Sequence, residues 1–190
     1  MTGYYANITL YGPSQDDVVK FLNGHGDIAY VAPFKSGAVV FHQDLGAQER
    51  LAIALSRHFR CPALVVMTFG ESILLYELYQ GGEETDAYVS TPHEGLELDG
   101  PAQEGNPPVL CAAFGIDMDH KVRRVERVLR TPTRPNAEFA LASNRHGELA
   151  RALGLPLFAV GAGFAGIEIG ELPQAADFDP SSLRRTGAAR

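Results

Sequence analysis

The stretch of the chain that most closely matches a chemical motif is residues 161–166, which read GAGFAG. A GxGxxG pattern binds a dinucleotide when its glycines turn the chain from a strand into a helix, because the helix N-terminus then holds the pyrophosphate. Here residues 167–169 alternate Ile-Glu-Ile in the manner of a strand, and Pro173 follows soon after. Only 24 residues remain beyond Gly166, too few for a nucleotide-binding unit. We therefore expect a glycine-rich turn packed against the body of the protein, and no cofactor.

Histidine and cysteine side chains show no spacing that is typical of a metal site or of nucleophilic catalysis. The histidines are His25, His42, His58, His93, His120 and His146. No two of them form HxxxH or HExxH, and no GxSxG motif occurs. The two cysteines, Cys61 and Cys111, lie beside apolar residues, which would raise the pKa of a thiol. We expect no metal and no catalytic residue, although His93-Glu94 and His120 with its neighbouring aspartates could bring carboxylate and imidazole together.

A group of cations lies between residues 119 and 130. Its members are Lys121, Arg123, Arg124, Arg127 and Arg130. In a helix, Arg123, Arg127 and Arg130 share one face by their spacing. Two interpretations follow: the face is solvated or paired with acidic residues at 83–84 and 94–104, or it binds an anionic ligand, an acidic protein or a nucleic acid.

Composition limits these possibilities. The chain has 190 residues and a net charge of −7, and residues 1–118 contain 5 Lys/Arg against 15 Asp/Glu. An acidic body disfavours binding to nucleic acid, whose phosphates require a positive surface. No apolar run is long enough for a membrane span, and the N-terminus lacks the order of a signal peptide, so we expect a cytoplasmic protein.

The first 90 residues predict an α+β fold with an antiparallel sheet of about six strands. Predicted strands and helices alternate as β-α-β-β-α-β, the ferredoxin-like order, and a hairpin follows. The strands are predicted at residues 5–11, 27–35, 38–43, 62–69, 73–80 and 86–90, and the helices at 14–24 and 47–59. Strands 62–69 and 73–80 are apolar on both alternating faces, so both faces of the sheet must be covered.

The remainder of the chain supplies that second cover. Residues 91–107 are expected to form a long acidic loop, residues 108–175 a helical part, and residues 176–190 a loosely held tail. Helices are predicted at 108–114, 119–129 and 137–153, the last of them either continuous or broken near Gly147. We expect one structural domain in which the helical part packs on the sheet.

A seam between the sheet and this helical part is where a ligand pocket is expected. Polar side chains near that seam are the candidate ligand-binding residues. They are Tyr76, Tyr79, Asp86, Tyr88, His93 and Arg127.

Two segments resemble parts of a bacterial protein family of unassigned function. They are LLYELY followed by GGE and DAYVS, within residues 74–90, and HGELA through LGLP, within residues 146–156. The resemblance implies no fold, reaction or site.

No assembled catalytic signature accompanies the charge asymmetry and the long acidic loop. We therefore expect a non-catalytic binding or protein-interaction module, with partner binding or self-association through an edge strand or the acidic loop. The alternative is a small-molecule enzyme with a pocket at the predicted seam.

Overall fold

Seven strands form one antiparallel sheet in the computed structural model, which describes residues 4–90, 103–133 and 138–187. The strands are β1 (Ala6–Tyr11), β2 (Ala29–Phe34), β3 (Gly37–His42), β4 (Pro62–Phe69), β5 (Ile73–Gln80), β6 (Glu83–Val89) and β7 (Arg184–Arg185). Their order is β6-β5-β4-β1-β3-β2-β7, so the N-terminal strand is central. In this register Ile8 lies between Val40 and Val65, and three β-branched side chains pack across neighbouring strands.

The sheet is larger than the six strands predicted, because the end of the chain adds β7 to the edge strand β2. Arg185 pairs with Tyr30, and Arg184 with Val31. Thr186 is fully buried, and its hydroxyl group donates to the Asp27 carbonyl (2.7 Å) and accepts from the Ala29 amide (2.9 Å). The prediction of a loosely held tail is therefore wrong for residues 184–187. Their pairing with β2 also protects backbone groups that this edge strand would otherwise expose.

Six α-helices lie within the described residues. They are α1 (Gln15–His25), α2 (Gln48–Phe59), α3 (Pro107–Ala113), α4 (Asp119–Arg130), α5 (Ala142–Leu153) and α6 (Phe164–Glu168). The Ser14 hydroxyl accepts a hydrogen bond from the Asp17 amide (3.2 Å) and caps α1. Gly154 adopts φ 67° and ends α5. The described residues contain no helix of the length and apolarity that crossing a bilayer requires.

Both faces of the sheet are buried, as the alternation in β4 predicts. Ala63 and Val65 face α1 and α2, whereas Leu64 and Val66 face α3, α4 and α5. A third cluster, around Phe158 and residues 159–167, covers β2 and β3 on that second face. Burial of a Leu or Phe side chain stabilises the folded state by about 1.5–3 kcal/mol. The C-terminal segments therefore stabilise the sheet from one face, and α1 and α2 stabilise it from the other.

Two predictions in the C-terminal part are wrong in detail. Residues 164–168 form the short helix α6, where the Ile-Glu-Ile alternation predicts a strand. Helix α5 begins at Ala142, residues 138 and 139 form a turn, and residue 137, where the helix was predicted to begin, lies outside the described residues. The five residues of α6 span less than two helical turns, so hydrophobic periodicity has too few positions there to distinguish a helix from a strand.

Candidate binding cleft

Three of the predicted ligand-binding residues meet between the sheet and α4. The Tyr76 hydroxyl donates to Oδ2 of Asp86 (2.7 Å), and the rings of Tyr76 and Tyr88 stack with centroids 5.4 Å apart. The Tyr88 hydroxyl donates to the Leu129 carbonyl (3.0 Å). Burial raises the pKa of Asp86 and of both tyrosines.

This seam is filled by the protein itself. A Cβ atom on Gly105 would lie 2.5 Å from the Tyr76 hydroxyl oxygen. Arg130 donates to the carbonyl of Gly105 (2.9 Å), and the Asn106 amide donates to Oδ1 of Asp86 (2.8 Å). Because the polar groups are engaged within the chain and the backbone approaches them closely, the seam serves to dock residues 103–106 on β6.

The other three predicted residues lie apart from this seam. Tyr79 packs in the core on the opposite face of the sheet, and its hydroxyl donates to Oε2 of Glu77 (2.9 Å). Arg127 is exposed and lies 3.1 Å from Oε2 of Glu138. His93, with most of the predicted acidic loop, lies outside the described residues. The six residues therefore do not form one described site.

A cleft of about 570 Å³ lies elsewhere, between α5 and two segments near the C-terminus. One face of α5 forms its first wall. The wall residues are Ser143, Asn144, Gly147, Glu148 and Arg151. Their spacing of three or four positions places them along one side of a helix, which is the side turned away from the sheet.

The second wall comes from residues 157–160 and 173–175, and the buried rings of Phe139 and Phe158 contribute to the lining. Three hydrogen bonds hold this wall in place. The Asn7 amide group donates to the carbonyls of Ala159 (2.8 Å) and Ala162 (3.0 Å). The Leu157 amide donates to the Asp177 carboxylate (2.7 Å). The central strand thereby positions the wall that faces α5.

Gly147 keeps the cleft open at the middle of α5. A Cβ atom placed on it would meet nothing closer than Nη1 of Arg151, at 3.5 Å, and its φ is not positive. Neither packing nor backbone conformation requires glycine there. Glycine inside a helix costs about 0.5–1 kcal/mol relative to alanine, so the missing side chain lowers stability and leaves space in the cleft.

No family model, no curated protein and no solved structure matches this chain.

Charged side chains at the cleft are paired within the protein. Glu148 accepts hydrogen bonds from Arg124 (2.7 Å) and Arg151 (2.6 Å), and the bond from Arg124 is the main cause that lowers the Glu148 pKa. Glu138 is paired with Arg127. Arg124 and Arg127 of α4 thus contact carboxylates on or before α5, whereas Arg130 donates to the backbone carbonyl of Glu104, within the acidic segment predicted as a partner. Exposed pairs of this kind contribute about 0–1 kcal/mol each, so their effect is on the local potential more than on stability.

Uncharged polar groups at the other end of the cleft are free. Within the described parts of the chain, the side chains of Ser143 and Asn144 make no hydrogen bond. Ser143 is half-buried and Asn144 is exposed. A hydroxyl group and an amide group on adjacent residues can each donate and accept, so this end of the cleft can bind polar groups of a ligand without breaking internal contacts.

The opposite side of α5 fixes the wall against the body of the protein. Arg145 is fully buried, and Nη2 donates to the carbonyl of Thr131 (2.7 Å) at the end of α4, while Nη1 donates to the carbonyl of Val128. His146 is buried, and its Nδ1 lies 2.9 Å from the Tyr5 hydroxyl oxygen. Both side chains support α5 from behind, and neither lines the cleft.

The glycine motif packs against the residue that precedes β1. Gly163 precedes α6, and a Cβ atom on it would lie 3.1 Å from Cβ of Tyr5, so the motif packs closely on the body of the protein. In residues 4–90, 103–133 and 138–187, no three His, Cys, Asp or Glu side chains are grouped to hold a metal ion.

Sequence reasoning missed the cleft because its second wall is distant along the chain. One signal was present: polar residues at 143, 144, 148 and 151 surround an isolated glycine at 147 within a predicted helix. Because a glycine inside a helix costs about 1 kcal/mol relative to alanine, such a position is a candidate for a packing or functional role. That signal indicates a place on α5, but not what faces it.

Proposed function

We propose that this protein is a non-catalytic binding module whose ligand occupies the cleft beside α5. The observation that carries the proposal is Gly147, which leaves open space in the middle of a helix where the protein has no structural need for glycine. The cleft volume falls within the range of small-molecule sites, about 300–1,000 Å³.

A binding role is favoured over catalysis by the surroundings of Ser143. Its hydroxyl group has no hydrogen bond to a base within the described residues. His146, three positions along α5, directs Nδ1 to Tyr5 and does not line the cleft. Nucleophilic catalysis by serine requires a base within hydrogen-bond reach, and this arrangement supplies none.

The test compares two substitutions at Gly147. Gly147→Leu fills the cleft with a side chain, whereas Gly147→Ala adds one methyl group that has room and improves helix propensity by about 1 kcal/mol. Amide chemical shifts of the wild-type protein are recorded against a library of small polar fragments. We expect hits that perturb residues 143–148 and 157–160, retained by the alanine variant and weakened about tenfold or more by the leucine variant.

Thermal unfolding of both variants controls for folding. We expect the alanine variant to be at least as stable as the wild type, because no atom lies within 3.4 Å of its new Cβ. Fragments that leave the cleft amides unchanged, or that bind the leucine variant as well as the wild type, would refute the proposal.

We also infer that the first six elements form a ferredoxin-like unit. Support comes from the order β4-β1-β3-β2 within the larger sheet and from α1 and α2, which share one face of it. Strands β5 and β6 extend this unit at one edge and β7 at the other.

A reducing, cytoplasmic location is part of the proposal. Cys61 and Cys111 are both buried as free thiols, which is typical of proteins that fold where thiols stay reduced.

A further inference from the structure

We infer that the ligand of the cleft is an uncharged molecule that carries several hydroxyl or amide groups. This inference rests on the proposed function, since it names the chemistry that the cleft beside α5 would select.

Charge balance around the cleft argues against a charged ligand. Three carboxylates and three guanidinium groups lie at its walls or bond directly to wall residues. The carboxylates are Glu138, Glu148 and Asp177, and the guanidinium groups are Arg124, Arg127 and Arg151. Each carboxylate already accepts a hydrogen bond from the protein, so an anion or a cation would face both signs of charge and would have to compete with an existing pair.

Available hydrogen-bonding groups are neutral and can both donate and accept. The Ser143 hydroxyl and the Asn144 amide stand next to each other without partners among the described residues. Across the cleft, Gln174 uses its amide nitrogen on the Leu172 carbonyl (3.2 Å), which leaves its carbonyl oxygen to accept. Hydroxyl and amide groups of a ligand match this set, because they too donate and accept.

The middle of the cleft suits the carbon skeleton of such a molecule. Gly147 presents backbone without a side chain, and the half-buried side chains of Leu157 and Val160 lie on the facing wall. A ligand in this position would place C–H groups against apolar surface and its polar groups toward Ser143 and Asn144, which is the usual division of a small-molecule site.

The test uses three probes that share one ring and differ in charge. N-acetylglucosamine is neutral and carries hydroxyl groups and an amide, glucosamine is a cation, and glucuronate is an anion. Each is titrated into the full chain while the amide shifts of residues 143–148 are followed. We expect the neutral probe to bind about tenfold or more tightly than either charged probe. Equal or tighter binding of a charged probe, or no shift with any of the three at millimolar concentration, would overturn the inference.

Two variants connect the result to the named side chains. The double substitution Ser143→Ala with Asn144→Ala should weaken binding of the neutral probe about tenfold. Arg123→Ala on the exposed side of α4 is the matched surface control and should alter none of the three titrations. Neutral-probe affinity that survives the double substitution would also overturn the inference.

Failure here is distinguishable from failure of the proposed function. If charged fragments bind in the cleft and Gly147→Leu blocks them, the proposed binding function stands and the inference of a neutral ligand is refuted. If no fragment is sensitive to Gly147→Leu, both the function and the inference are refuted.

Discussion

The hydroxyl oxygen of Tyr5 lies 2.9 Å from Nδ1 of His146, and the two rings stack with centroids 5.8 Å apart. This contact joins the residue that precedes the central strand β1 to the inner side of α5, 141 positions away in the chain. Because α5 supplies one wall of the cleft, the contact also determines where that wall stands relative to the sheet.

Removal of the Tyr5 hydroxyl group should destabilise the protein. Tyr5→Phe leaves Nδ1 of a buried imidazole without its partner, and an unsatisfied buried polar group costs about 1–3 kcal/mol. The neighbouring substitution Tyr4→Phe is the matched control, since the Tyr4 side chain is 61% exposed and should change stability by less than about 0.5 kcal/mol. Urea unfolding followed by circular dichroism measures both. Equal effects of the two substitutions would show that the Tyr5–His146 contact contributes nothing.

His146 should make stability depend on pH in acid. Burial lowers the pKa of His146 to about 4, below the ordinary value of 6.5. Between these values the unfolded chain binds a proton that the folded chain does not, so stability rises with pH through this range and is lost as the pH falls. The shift corresponds to about 3 kcal/mol. His146→Gln removes the titration.

The measurement is the difference in unfolding free energy between wild type and His146→Gln at several pH values. We expect the wild type to lose stability relative to the variant from about pH 6.5 down to about pH 4, and the difference to be constant above pH 7. Other acidic groups titrate in both proteins and cancel in the difference. A difference independent of pH would contradict a buried, neutral His146.

Among the cationic side chains, Arg145 should contribute most to the stability of the C-terminal part. It is 0% exposed, it donates to two carbonyls at the end of α4, and its guanidinium group lies 4.8 Å from the centroid of the Phe139 ring. Arg145→Met leaves these acceptors buried without donors, and we expect a loss of about 3–5 kcal/mol. Arg151→Met, on the exposed side of the same helix, should cost less than about 1 kcal/mol. Thermal unfolding compares the two, and similar losses would contradict the structural role of Arg145.

Residue patterns were sufficient to predict the sheet with two covered faces. Alternation in β4 places Ala63 and Val65 on one side and Leu64 and Val66 on the other, and each pair is found in a different cluster. Such a pattern is local and repeats along the strand, so the prediction holds even when a single position departs from the pattern. The cap at Ser14 and the left-handed Gly154 were predictable for the same reason, since each depends on a few adjacent residues.

What could not be predicted depends on contacts between distant segments. Strand β7 has two residues, Arg184 and Arg185, and no apolar alternation, so only its partner β2 reveals it. Tyr76, Asp86 and Tyr88 lie together between the sheet and α4, but whether aromatic and acidic residues enclose a ligand or a loop depends on what lies against them. The cleft has the same dependence, because residues 173–175 face α5 only in the folded chain.

Gly105 provides the sharpest test that this seam is packed and not a pocket. It adopts φ 70°, and a Cβ atom on it would lie 2.5 Å from the Tyr76 hydroxyl oxygen and 3.0 Å from Cδ1 of Leu129. Gly105→Ala therefore adds steric overlap, about 1–3 kcal/mol, to the backbone strain of alanine at positive φ, about 1–2 kcal/mol.

Gly115 is the matched control, since it has the same φ of 70° and nothing within 4 Å of a Cβ atom. Gly115→Ala should show the strain alone, so the alanine variant at 105 should be less stable than the variant at 115 by about 1–3 kcal/mol in urea unfolding. Equal losses at the two positions would mean that residues 103–106 move away from Tyr76 without cost. In that case a ligand could occupy the seam, because nothing would hold the loop against the sheet.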